Sequence, residues 1–176
     1  MKNVGIFKLH SDAVTPFQGT ELSACADLRA CLHELHVKCN NREGFSKVKN
    51  YNTSDAYVTI FPNEVMLIPT GIIFLLPQDY HLKFYSRSGL SWKKQLVVYN
   101  QPAVIDSDYT NESFIMLHND SHEAIDIKNG MAIAQCELCV NIKIQFNEAD
   151  SEMFEDHKLN ITEMSSRNGG FGSTTK

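Results

Sequence analysis

Apolar positions along this chain alternate with polar ones or gather in short runs, and no stretch sustains a 3.6-residue period. The pattern predicts strands over Val4–Leu9, Val58–Phe61, Val65–Pro69, Gly71–Leu76, His81–Tyr85, Leu96–Tyr99, Ser113–Leu117, Ala124–Ile127 and Ile133–Phe146. Most are rich in Val, Ile and Phe and are bounded by Pro, Gly, Asn or Asp, residues that turn or stop a strand. One short helix is expected, over Ser88–Lys94. Many short strands with frequent turns predict an all-β fold, a distorted jelly roll or β-clip-like barrel.

Two polar segments interrupt this body, which is expected to span residues 1–146. Residues 38–57 mix Lys38, Arg42, Lys47 and Lys49 with Glu43 and Asp55, and read as a surface-loop insertion. Residues 147–164 carry Glu148, Asp150, Glu152, Glu155 and Asp156, and read as a solvated linker. The linker leads into a glycine-rich tail, residues 165–176, expected to be mobile.

Charge narrows the function. The net charge of −5 offers no basic footprint for nucleic acid. The longest apolar run, Ile72–Leu76, is far too short to cross a bilayer. Met1–Gly5 leads into Lys8, His10 and Asp12 without a signal-peptide core. An intracellular soluble protein is expected, cytoplasmic or nuclear. The five cysteines are an odd number, unlike a secreted disulfide framework. Cys136 and Cys139 form a C-x-x-C inside a strand-like run with no second pair to complete a zinc site, so free thiols are expected.

Candidate chemistry gathers in five segments. Gln101 to Thr110 carries Asp106, Asp108 and Tyr109 beside the apolar run Leu96–Tyr99. If that stretch stays extended, both aspartates share a face and suit a polarised water or a metal. Tyr85 to Lys94 concentrates Arg87, Lys93 and Lys94 among hydroxyls and Gly89, a setting for anions. Gly130 to Gln135 places one amide in an apolar run, and Ser23 to Ala30 crowds small residues around Asp27. In the tail, Gly169, Gly170 and Gly172 can turn backbone N–H groups toward a phosphate, Arg167 adds a forked donor, and Phe171 could stack on a base.

In chain order the five segments resemble the five motifs of the trimeric dUTP pyrophosphatase (dUTPase) family, across residues 23–174. Ala26–Ala30 is similar to the first motif, Arg87–Leu90 to the second and Val104–Tyr109 to the third. Gly130–Gln135 is similar to the fourth, and Gly169–Thr174 to the fifth.

The resemblance implies hydrolysis of dUTP to dUMP and pyrophosphate, which limits uracil incorporation into DNA and supplies dUMP for thymidylate synthesis. It implies that Asp106 is the general base for water attacking the α-phosphorus in line. Asn100 and the backbone of a hairpin at 100–105 would read uracil. Tyr109 would pack on deoxyribose and exclude a 2′-hydroxyl. Ser88, Gly89 and Gln135 would hold phosphate oxygens, with Arg87 bracing the loop. Arg167, Phe171, Gly172 and Ser173 would close over the nucleotide. Mg²⁺ is the implied cofactor, supported by Asp27 through water. A homotrimer with shared sites is the implied assembly.

The chain departs from the family pattern in places. Cys25-Ala26 replaces the usual pair before the acid, and Ala132 stands where an Arg is common. Arg167 lies two residues rather than three before the paired glycines, and Ser86 stands where Pro is common, a change expected to matter little. Two other readings compete. A dCTP deaminase of the same fold would need a glutamate-type base and usually lacks the aromatic tail. A regulatory or interaction module would use residues 38–57 as its contact surface.

Overall fold

Strand residues alternate in burial with a period of two. In the computed structural model, which describes residues 3–164, Val58, Ile60, Met66, Ile68, Ile115, Leu117 and Ile127 are almost wholly buried. Their immediate strand neighbours are less buried, as a pleated strand with one face on a core requires.

Chain order runs β1 (Gly5–Lys8), β2 (Phe17–Gln18), β3 (Ala26–Arg29), β4 (His36–Lys38), β5 (Phe45–Lys47), β6 (Tyr57–Ile60) and β7 (Val65–Pro69). It continues with β8 (Ile72–Leu75), β9 (Tyr80–Tyr85), α1 (Ser88–Lys94), β10 (Leu96–Val98), β11 (Ala103–Ile105), β12 (Phe114–Asn119), β13 (Ile125–Lys128), β14 (Ala132–Val140) and α2 (Ser151–Met164). The largest sheet has the order β11-β9-β14-β3-β2, and a second has β10-β12-β7. The pairs β1-β8, β13-β6 and β4-β5 complete the set, and every pairing is antiparallel. These open sheets pack as a jelly-roll-like fold, and among the described residues no single barrel closes. Leu28, Phe84, Ile133, Ala134 and Ile72 join the residues above in one core.

The chain divides into two compact units, Met1–Ile142 and Lys143–Lys176. The last strand is shorter than its apolar pattern suggested and stops at Val140. Beyond it Ile142, Ile144 and Phe146 are 83%, 69% and 89% exposed, so the apolar alternation continues on exposed residues. Residues 147–164, expected as linker, hold helix α2. Asp150 Oδ1 accepts the N–H of Met153 at 2.9 Å, an N-cap that starts the helix. Every residue of α2 up to Ile161 is exposed.

Residues 38–57 are also more ordered than a loop. They contain β5, which pairs with β4 around a turn where Gly44 takes φ +76°, and they bury Val48 and Ala56. The predicted helix forms over Ser88–Lys94 and ends where Gln95 adopts a left-handed conformation. No helix among the described residues is long and apolar enough to cross a membrane.

Candidate active site

Three strands of the large sheet bring the first cluster together. Asp27 on β3 lies opposite Gln135 on β14, and Gln135 lies opposite Tyr85 at the end of β9. The chain then turns through Ser86 and Arg87 into α1. Two sequence-distant side chains and the Ser88–Gly89 turn thus meet at one end of the sheet. They line a cavity of about 360 Å³ with Arg87, Leu90 and Lys93.

Arg87 is the brace of this cavity. Its Nε donates to Asp27 Oδ1 at 3.0 Å and its Nη2 to Asp27 Oδ2 at 3.1 Å. Its Nη1 donates to the carbonyl of Ala132 at 3.0 Å. A forked guanidinium–carboxylate pair fixes both partners in orientation as well as distance. One guanidinium therefore ties β3, β14 and the start of α1 together. Arg87 is also the N-cap of α1 with no side-chain cap bond, and the first turn contains no acid.

Ser86 joins the same network more deeply than its sequence position suggested. Its N–H donates to Gln101 Oε1 at 2.8 Å, and its Oγ accepts the N–H of Val98 at 2.8 Å. Its carbonyl accepts Gln135 Nε2 at 3.0 Å. A proline there could supply neither the N–H nor the hydroxyl. Its presence was expected to matter little, yet it links β9, β10, β14 and the 99–102 corner. Gln101, which nothing in the sequence marked out, is the side chain that carries the corner onto this loop. One amide N–H of Gln135 is committed to Ser86, which leaves the other for a ligand.

The 99–102 corner is not a paired hairpin. β10 bonds to β12 and β11 bonds to β9, so the corner crosses from one sheet to the other. Tyr99 N–H extends the β12 side by donating to Met116 O at 2.8 Å, and Pro102 has no N–H to give a ladder. Asn100 is exposed on this corner.

Asp106 follows β11 directly and is exposed. The extended run expected through Asp108 does not form. Residues 107–108 turn, and Tyr109 N–H donates to Asp106 O at 3.2 Å, so the two aspartates are not on one strand face. Tyr109 Oη donates to Glu112 O at 2.9 Å, folding the ring over its own turn. Glu112 Oε1 in turn accepts the N–H of Gly71 at 2.6 Å, and burial pushes its carboxyl above the usual range.

Strand register separates these two groups within the chain. Ile105 lies opposite Leu82 on β9, whereas Gln135 lies opposite Tyr85. Three positions along the strand and two strand spacings amount to roughly 14 Å between their backbones, with Asp106 farther still. The structure therefore brings together Asp27, Arg87, Ser88, Gly89 and Gln135, leaves Asp106 and Tyr109 beyond the far end of β11, and places Asn100 on the corner that Gln101 ties to Ser86. Arg167, Phe171, Gly172 and Ser173 lie outside the described residues. The thiols of Cys136 and Cys139 are free, with Cys136 buried and pushed up to about 12 by that burial.

The dUTPase family model matches residues 53–175. A deoxyuridine 5'-triphosphate nucleotidohydrolase of Leptospira interrogans is 34% identical over 128 residues, 73% of each chain. One of Nautilia profundicola is 35% identical over 152 residues, covering 81% of this chain and 99% of its own. Among solved structures, a phage 80alpha dUTPase mutant superimposes with a TM-score of 0.69 at 18% identity, covering 98% of both chains. A dUTPase mutant from phage phi11 of S. aureus, described with a structural Mg(II) ion, gives 0.66 at 16% identity over 85% of this chain and 98% of its own.

Proposed function

The chain belongs to the dUTPase family, whose dUTP diphosphatase activity it shares, and we propose that it cleaves dUTP to dUMP and pyrophosphate with water activated by Asp106. The observation that carries this reading is the braced cavity of Asp27, Arg87, Ser88, Gly89, Lys93 and Gln135, which suits the charge and size of a phosphate chain.

In this reading each residue has one task. The exposed carboxylate of Asp106 takes a proton from water as that water attacks the α-phosphorus, opposite the departing pyrophosphate. Ser88 Oγ and the free amide N–H of Gln135 hold phosphate oxygens. Arg87 does not need to touch substrate, because its fork is spent on Asp27 and Ala132. Asn100 and the backbone of the 99–102 corner read the uracil edge. Tyr109 packs against deoxyribose and leaves no room for a 2′-hydroxyl. Arg167, Phe171, Gly172 and Ser173 supply a closing segment that shields the reacting phosphates from bulk water.

The donor set also fits Mg²⁺ held at a distance. Both Asp27 oxygens accept hydrogen bonds from Arg87, so direct ligation would break the fork, whereas a bridging water can share a remaining lone pair. When bound, the ion would neutralise phosphate charge and draw the chain of phosphates into one reactive geometry.

The separation of Asp106 from Gln135 supports shared sites. A side chain reaches only a few ångströms, well short of roughly 14 Å between their strands. A site needing both then takes them from different subunits, which favours a homotrimer over a self-sufficient monomer. The exposed alternation of Val140, Ile142, Ile144 and Phe146 favours the same assembly, as surface awaiting a neighbour.

A nucleotide panel tests the proposal. Pyrophosphate release from dUTP, but not from dTTP, dCTP or UTP, is expected. Ammonia from dCTP would move the chain to the deaminase reading, and no turnover of any nucleotide would leave only a binding role.

A further inference from the structure

We propose that Asp12, Cys31 and His33 form a binding site for one zinc-class divalent cation, on the side of the fold where β1 and β3 end and β8 begins. A carboxylate oxygen of Asp12, the sulfur of Cys31 and a ring nitrogen of His33 all lie within 4.8 Å of one another. Tetrahedral zinc with ordinary bond lengths holds such atoms roughly 3.4–3.6 Å apart, so small side-chain rotations complete the arrangement. An oxygen, nitrogen and thiolate set suits zinc and its transition-metal neighbours and disfavours Mg²⁺, which prefers oxygen alone.

The surroundings are built rather than incidental. Cys31 is 2% exposed, and its N–H donates to Pro69 O at 2.8 Å, so its sulfur is fixed by the backbone. Gly71, at φ +67°, packs on it so closely that an added Cβ would sit 2.7 Å from the sulfur. Asn129 Oδ1 accepts Leu32 N–H at 2.8 Å, and its Nδ2 donates to Asp12 Oδ2 at 3.2 Å. That is the outer bond a metal-binding carboxylate usually receives.

His33 supplies the independent sign. Its Nε2 is shut off from solvent and ion-paired with the Asp12 carboxylate, so both groups already converge on one point. A simple ion pair accounts for two of the three groups but not for a buried thiol aimed at the same point. His10 stacks on His33 with ring centroids 3.9 Å apart and planes 8° from parallel. A ring nitrogen donates in its own plane, so two parallel rings cannot share one ion. His10 is a wall of the site, and water takes the fourth position.

Binding forms one sulfur–metal bond, breaks one S–H bond and releases one proton to solvent. The ion would clamp the segment after β1 to the end of β3.

The test uses the full-length chain, stripped with chelator and titrated with Co²⁺ and then Zn²⁺ in millimolar Mg²⁺. One Co²⁺ per chain is expected, with a thiolate-to-cobalt charge-transfer band that Zn²⁺ abolishes. Cys31→Ser should erase the band, and Asp12→Asn or His33→Gln should weaken binding at least tenfold. Cys25→Ser and Cys139→Ser should leave the band intact. Cys31 is buried, so folding of Cys31→Ser is checked by circular dichroism, while the two more exposed ligand variants test the site without it. No thiolate band, a band that persists in Cys31→Ser, or affinity indifferent to both Asp12→Asn and His33→Gln would each overturn the assignment.

Discussion

Replacing Arg87 with Ala removes three hydrogen bonds at once, two to Asp27 and one to Ala132 O. The pair is neither a surface nor a core ion pair, since the side chains of Arg87 and Asp27 are 35% and 25% exposed. Exposed pairs contribute about 0.2–1 kcal/mol, and breaking a fully buried one costs about 3–5 kcal/mol. The forked geometry and the extra carbonyl place Arg87→Ala between these limits, at about 2–3 kcal/mol of lost stability. Asp27→Ala keeps the Ala132 bond and leaves the guanidinium reachable by water, so about 1–2 kcal/mol is expected. The double variant then isolates a coupling of about 1–2 kcal/mol. Urea unfolding followed by far-ultraviolet circular dichroism measures all four, at one fixed protein concentration so that the proposed assembly would affect each equally. Trp92 is a poor probe, being 87% exposed. Arg87→Lys should recover less than half of the loss, since an ammonium cannot make the fork. A coupling under about 0.5 kcal/mol would mean that solvent screens the pair and that Arg87 does not hold β3 to β14.

Asp106→Asn should abolish dUTP turnover while a non-hydrolysable analogue still binds in calorimetry; near-normal activity would rule out this residue as the base. Truncation after Ser165 should cut turnover severely without altering the mass seen by light scattering, and an unchanged rate would remove the tail from catalysis. Ser86→Ala strands the Val98 N–H and should lower stability by about 1–2 kcal/mol in the same urea assay, so a change within about 0.3 kcal/mol would deny Ser86 its linking role. With thiols pushed up to about 12, Cys31 and Cys136 expose only about one thiolate in ten thousand at pH 8, and iodoacetamide should spare both until the chain unfolds. Early labelling of either, read by mass spectrometry, would contradict their burial.

Alternation of apolar residues located eight of the strands to within two residues and the start of β14, and the turn chemistry around Ser88–Lys94 located α1. The strands it missed are short or nearly all exposed. β4 buries only Val37, and β2 buries nothing, so neither writes a pattern of two. Helix α2 has no apolar stripe strong enough to read, but the Asp150 cap three residues before Met153 was a usable signal. Residues lining the cavity were legible where their type is chemically demanding, as with Asp27, Arg87 and Gln135. Ser86 and Gln101 were not, because their importance lies in which backbone groups the fold sets before them. Register was equally hidden. Sequence order says nothing about which end of β9 faces Asp106.

That register carries an arithmetic of its own. If every reaction centre borrows its base from one chain and its phosphate grip from another, two dead proteins can rescue each other. An equal mixture of Asp106→Asn and Gln135→Ala chains, unfolded and refolded together, should assemble intact centres in about one case in four. Centres confined to single chains would give none, and the restored rate therefore reads out the geometry of sharing directly.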